Sequence, residues 1–237
     1  MASEHIVKSF EQELEQLKRT ILQMGGIAES QLESAIRCVV RRDADLAAQV
    51  VRGDDRLDRY ENEIDDATVR MLALRQPMAG DLREVVSALK IASDLERIGD
   101  YAANVAKRSI ALSQVPQVKP VTAIPRMGKL AQEIIKDTLD AYTERDLGKA
   151  LAAWERDEEL DDLYTSLFRE TLTYMMEDPR NITPCTHLVF IAKNIERIGD
   201  HATNVAETVH FLITGRAIRE DRPKGDQSSF AVVEPVK

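Results

Sequence analysis

The chain has 237 residues, 43% apolar, 31% charged and only 5% aromatic, and its 41 acidic side chains against 32 basic ones leave a net charge of −9. That is too apolar for a disordered polyelectrolyte, too often interrupted by charge for a membrane protein, and of the wrong sign for a nucleic-acid footprint. The length fits one large domain or two small ones, and the dominance of Ala, Leu, Glu, Asp and Arg predicts an all-α fold.

The first segment lacks the apolar core of a signal peptide, and no later stretch reaches about 18 uninterrupted apolar residues, so the expected location is the cytoplasm. From Phe10 the apolar positions Leu14, Leu17, Ile21, Met24 and Ala28 alternate gaps of four and three, which predicts a long first helix. Asp43 is placed to cap a second, whose seam Val50, Leu57, Ile64 and Met71 repeats every seven residues until Gln76-Pro77 stops it. A third helix, starting near Asp81, carries Ile91, Leu95, Ile98, Ala102 and Val105 on one face and decays into a proline-rich stretch with Pro116, Pro120 and Pro125. Cys38 and Cys185 lie far apart without metal-binding spacing and read as buried free thiols.

The pattern then restarts. Met127, Ala131, Ile134, Thr138 and Ala141 form a fourth seam; Arg145-Asp146 repeats Arg42-Asp43, Leu160 repeats Leu57, Leu167 repeats Ile64, and Asp178-Pro179 closes the fifth helix. The sixth carries the strongest self-match: IASDLERIGDYAANVA from Ile91 and IAKNIERIGDHATNVA from Ile191 agree at 11 of 16 positions. The expectation is a duplication, two tandem three-helix bundles of six long antiparallel helices. The first bundle spans 1–115, a linker 116–120, the second bundle 121–215, and 216–237 is read as a disordered tail.

With roughly 100° of turn per residue, Glu96, Asp100 and Asn104 fall within about 80° of one another, and Glu196, Asp200 and Asn204 repeat the strip on the sixth helix. The seam through Leu95, Ile98 and Ala102 lies roughly opposite, which predicts that the strip faces away from its own bundle's core. A single such pair would ordinarily be a solvated face, but here the outer residues recur together with the core ones. Gly99 and Gly199 also sit mid-helix at about 1 kcal/mol disadvantage against Ala, which suggests a close approach there. Two carboxylates and an amide at one-turn intervals offer hard oxygen ligands to Mg²⁺, Mn²⁺, Ca²⁺ or iron. The second helix of each bundle supplies Asp54 and Asp58, matched by Asp157 and Asp161, to complete a shell. Four facing carboxylates repel unless a polycation lies between them. A ferritin-like di-iron oxidase would need Glu-x-x-His on two helices, and only Glu207 to His210 has that spacing. His201, in place of Tyr101 and next to Asp200, is within reach of the second strip. No phosphate loop, nucleophile elbow, anion nest or arginine cluster stands out.

Over residues 5–215 the chain resembles the PhoU family of phosphate-specific transport system accessory proteins, through the two ERIGD segments, RQPMAGDLR before the third helix and TYMMEDPR closing the fifth. The resemblance implies a cytoplasmic, non-enzymatic negative regulator of the phosphate-starvation response. It would act as a homodimeric adaptor between the ATPase of a phosphate ABC transporter and a phosphate-sensor histidine kinase, meeting the membrane only through partners and binding no nucleic acid. It also implies multinuclear clusters of divalent or trivalent metal ions, among iron, zinc, manganese and magnesium. These fall on Glu96, Asp100 and Asn104 with Asp54 and Asp58, and on Glu196, Asp200 and Asn204 with Asp157 and Asp161. The competing readings are a metal-dependent bundle enzyme and a metal-free helical scaffold.

Overall fold

The computed structural model describes residues 2–219 and 222, with side chains from Ser9 onward. The tail expected over 216–237 lies outside the described residues except for 216–219 and Arg222. The described chain is all helical: α1 (Ala2–Arg41), α2 (Ala44–Gly53), α3 (Asp55–Arg75), α4 (Ala79–Leu112), α5 (Ile124–Glu144), α6 (Leu147–Glu155), α7 (Asp157–Glu177) and α8 (Ile182–Thr214). Short 3₁₀ turns precede α5 and α8, at Lys119–Ala123 and Pro179–Asn181.

The six expected helices are present, with one correction. The second helix of each set is broken once, at Asp54 and at Arg156, where Leu57 N–H donates to the Asp54 carbonyl at 2.8 Å and Glu159 N–H to the Arg156 carbonyl at 3.2 Å. These are three-residue turns in otherwise right-handed helical backbone, so the apolar register survives. Val50, Leu57, Ile64 and Met71 remain buried across the first break.

The turns into α2 and α6 are built alike. Arg42 and Arg145 take left-handed conformations that end α1 and α5. The next residue caps the following helix: Asp43 accepts from Leu46 N–H at 2.9 Å and Asp146 from Lys149 N–H at 3.1 Å.

A continuous apolar core runs through both sets. α4 and α8 lie antiparallel at its centre, Tyr101 facing His201 with ring centroids 5.6 Å apart and Lys90 over the Phe211 ring. The α1–α5 crossing is symmetric in detail. A Cβ on Gly25 would fall 2.5 Å from Leu139, and one on Gly128 would fall 2.5 Å from Ile36, the equivalent position of the other repeat. The proposed duplication units remain 1–115 and 121–215. The stretch between them is not bare linker, because Val118 and Pro120 are buried against the bundles. Cys38 and Cys185 are free and fully buried.

Candidate metal-binding strips

Each strip lies where the third helix of a set passes the break in the second. This corrects the expectation that the strips face away from their own bundle. α4 and α8 are packed on several sides, so Ala92, Gly99 and Ala103, all near Glu96 around the helix, are buried, and Glu196 is only 3% exposed. The glycines explain the approach. A Cβ at Gly99 would stand 2.1 Å from Leu57 Cδ1 and 3.3 Å from Asp54 Oδ1; at Gly199 it would stand 2.4 Å from Leu160 Cδ2 and 3.4 Å from Asp157 Oδ1. The backbone thus closes to side-chain contact and brings Asp54 and Asp157 beside the two ERIGD helices.

In the first strip Gln31 of α1 joins the carboxylates, donating to Asp54 Oδ1 at 2.8 Å and to the Gly99 carbonyl at 3.4 Å, while its buried Oε1 has no hydrogen-bond partner. Arg97 tethers the strip from outside, 3.1 Å from Asp100 Oδ2 and 3.6 Å from Glu96 Oε2. Burial, reinforced by Asp100, Glu61 and Asp58, pushes the Glu96 carboxyl up to about 7. Burial also raises Asp54, with Gln31 and Lys107 opposing the rise and Asp100 and Asp58 adding to it. Asp58 is exposed and acts on both through its charge, and Asn104 lies at the far end of the strip.

The second strip is deeper. Asp157 and Asp161 are 1% and 0% exposed. Glu196 is pushed up to about 7, first by burial and then by Asp200 and Asp161, against the opposing hydrogen bond from Lys193. Lys193 Nζ meets Glu196 Oε1 at 2.8 Å, and the buried Oε2 of Glu196 has no hydrogen-bond partner. His201 turns away from the strip: its Nδ1 is 2.8 Å from Asp94 Oδ1 on α4, an oxygen that also accepts from Asn204 Nδ2 at 3.2 Å.

Among the described residues no three His, Cys, Asp or Glu side chains already converge on a metal position. The residues nevertheless suit a hard cation in kind. They pair carboxylates with amide oxygens, their crowding raises carboxyl pKa values, two buried oxygens lack hydrogen-bond partners, and a guanidinium stands as a cation against the second strip. Capture of an ion would require the carboxylates to converge on one position.

Several participants were not legible in the sequence. Gln31 is one of them, because its equivalent in the second repeat is Ile134 and no repeat signal marks it. Arg222 is another: Nη1 is 3.2 Å from Asp200 Oδ1 and 3.8 Å from Asp157 Oδ2, and Nη2 donates to Asn204 Oδ1 and, at 2.9 Å, to Glu207 Oε1. Between α4 and α8, Lys107, Arg108, Lys193 and Arg197 line a basic cleft that draws on both repeats. Arg108 there lies 4.1 Å over the Phe190 ring and Arg197 lies 5.6 Å from the Tyr101 ring.

The architecture is that of a duplicated helical bundle with one acidic strip per copy. The PhoU domain family model matches residues 21–109 and again 124–209, one match in each repeat. The chain belongs to the PhoU family. It is 54% identical over 225 residues to a protein of Caulobacter vibrioides described as a phosphate-specific transport system accessory protein PhoU homolog, covering 94% of this chain and 98% of that one. A Rhizobium meliloti protein of the same description is 50% identical over 231 residues, 97% of each chain. The crystal structure of PhoU from Pseudomonas aeruginosa superposes with a TM-score of 0.84 at 40% identity, covering 87% of this chain and all of that one. That of the phosphate transport system regulatory protein PhoU from Streptococcus pneumoniae gives 0.83 at 28% identity, covering 89% of this chain and all of that one.

Proposed function

We propose that this protein is an accessory regulator of phosphate uptake that restrains the phosphate-starvation response. It would act in the cytoplasm as a homodimeric, non-catalytic adaptor between the ATPase of a phosphate ABC transporter and a phosphate-sensing histidine kinase. The observation that carries the reading is the near full-length similarity, through both repeats, to proteins described as phosphate-specific transport system accessory proteins. Rigid helices with charged faces suit docking. Large exposed apolar side chains gather at the α3–α4 turn (Leu74, Met78, Leu82) and at the α7–α8 turn (Met176, Ile182), equivalent turns of the two repeats that the antiparallel α4 and α8 set at opposite ends of the molecule, which supports partner contact at either one. No helix among the described residues is long and apolar enough to cross a membrane.

Glu96, Asp100, Asn104, Asp54 and Asp58, and Glu196, Asp200, Asn204, Asp157 and Asp161, would hold the metal ions. A bound ion would supply positive charge that neutralises the strip and offers open positions to a partner's carboxylates. Gly99 and Gly199 set the spacing between the two helices of each strip, and Gln31 orients Asp54.

Two measurements test the reading. In a strain lacking the gene, phosphate-replete cells should express starvation genes constitutively and regain repression with the wild-type protein, which should co-purify with the transporter ATPase and the kinase; normal repression without it sinks the regulatory reading. Elemental analysis of untagged protein purified without chelator should find metal that is lost when Glu96, Asp100, Glu196 and Asp200 become Ala. Equal metal in both proteins sinks the assignment of the strips.

A further inference from the structure

The two strips are not electrostatically alike, and one of the exchanges between them bears on a cation site. Where the first repeat has Lys107, close enough to Asp54 to favour its charged form, the second has Glu207. The reversal puts an acid about two helical turns beyond Asp200 on α8, at the position where the first repeat has a cation. Arg222 fills that deficit. Its side chain is only 15% exposed, and its guanidinium meets Asp200, Asn204 and Glu207 at once, with Nε also donating to Glu207 Oε1 at 3.2 Å and Nη1 to the Asp200 carbonyl at 3.3 Å. Glu207 Oε1 is itself held by the indole N–H of Trp154 at 3.0 Å, so the acceptor is preorganised rather than merely exposed. Such a fork-shaped donor on several fixed oxygens is the arrangement that distinguishes Arg recognition from a point charge.

We infer that the second strip is a guanidinium seat for the chain's own Arg222, and that Arg222 and a metal ion exclude one another there. The seat uses Asp200 and Asn204, two of the oxygen-bearing residues the metal reading assigns to that strip, and a second cation cannot share them. The exclusion therefore rests on that reading; the seat does not. Apparent metal affinity at the second strip is lowered by the fraction of molecules in which Arg222 is seated, so a seat filled nine times in ten weakens it about tenfold. The first strip has no tail arginine among the described residues; its guanidinium is that of Arg97, on the strip's own helix and 55% exposed, which meets Asp100 and Glu96 from the solvent side and competes less than the enclosed Arg222. The protein would fill its strips in order, the first before the second.

Trp154 is the only tryptophan, which gives the seat a reporter that needs no metal. In metal-free protein, Arg222→Gln should shift the single indole N–H resonance, and Glu207→Gln should shift it as well. An indole signal indifferent to Arg222→Gln overturns the seat. Calorimetric titration with Mn²⁺ then tests exclusion. Arg222→Gln should tighten the weaker of two binding events about tenfold and leave the stronger unchanged. The gain should persist when Asp54 and Asp100 are changed to Asn and vanish when Asp157 and Asp200 are. An unaltered isotherm in a protein that binds Mn²⁺ overturns the exclusion. No Mn²⁺ binding in any variant overturns the metal reading and the exclusion together, while the indole shift still decides the seat. Arg222 follows the last helix, so its replacement leaves the helical core intact.

Discussion

Leu57 occupies the space that a side chain on Gly99 would need, its Cδ1 2.1 Å from the position of the absent Cβ. Gly26, equally mid-helix, has nothing within 4 Å of that position. The same substitution should therefore have opposite signs at the two sites. Gly26→Ala should stabilise by roughly 0.5–1 kcal/mol through helix propensity. Gly99→Ala must displace a fully buried leucine and should lose about 1–2 kcal/mol net. Urea unfolding of the two variants checks this; two stabilising results would mean the α3–α4 approach is looser than described.

The buried glutamates set a pH dependence in chelator-treated protein. Glu96 and Glu196 go from an ordinary 4.5 to about 7 on folding, chiefly through burial. Between those values the folded chain keeps protons that the unfolded chain has released, so stability falls as pH rises through the window and the full penalty applies above it. Glu96→Gln and Glu196→Gln should each stabilise the metal-free protein at pH 8, by on the order of 1 kcal/mol, and much less at pH 4.5. A gain of equal size at both pH values would point to a cause other than the carboxylate charge.

Both thiols should be silent in the native state. Burial pushes Cys38 up to about 11 and also raises Cys185. Thiolate, the reactive form, is thus scarce at pH 8 and enclosed as well. A disulfide reagent such as dithionitrobenzoate should find no thiol in native protein and two in denaturant; fast native labelling would contradict their placement.

The paired caps can be weighed individually. Asp43→Ala and Asp146→Ala each remove the acceptor for a first-turn N–H, and each should cost about 1 kcal/mol in denaturant unfolding. Replacement by Asn should recover most of it. If Asn does no better than Ala, the side-chain hydrogen bond is not what fixes these turns.

The sequence carried the architecture because its signals are local and repeated. The heptad seam through Leu57 and Ile64, the caps at Asp43 and Asp146 and the stops at Pro77 and Pro179 each act within a few residues. The breaks at Asp54 and Arg156 were hidden because both residues keep helical dihedral angles and no proline or positive φ marks them. The strip's orientation was misread for a different reason. A helical wheel assigns one buried face, whereas α4 and α8 are enclosed by several neighbours, and alanine and glycine there pass for surface residues. Arg222 had no periodic signature at all, being one side chain in a polar stretch.

The crossing of Gly25 with Leu139, mirrored by Gly128 with Ile36, is the reciprocal contact of an isologous dimer, yet both sides belong to one polypeptide. Joined this way, the halves associate without any dependence on protein concentration, and neither must keep the other's sequence. A homodimer of single repeats would impose every substitution on both strips at once. Fusion removed that constraint, and Gln31 opposite Ile134, or Lys107 opposite Glu207, shows two ancestral copies now free to specialise.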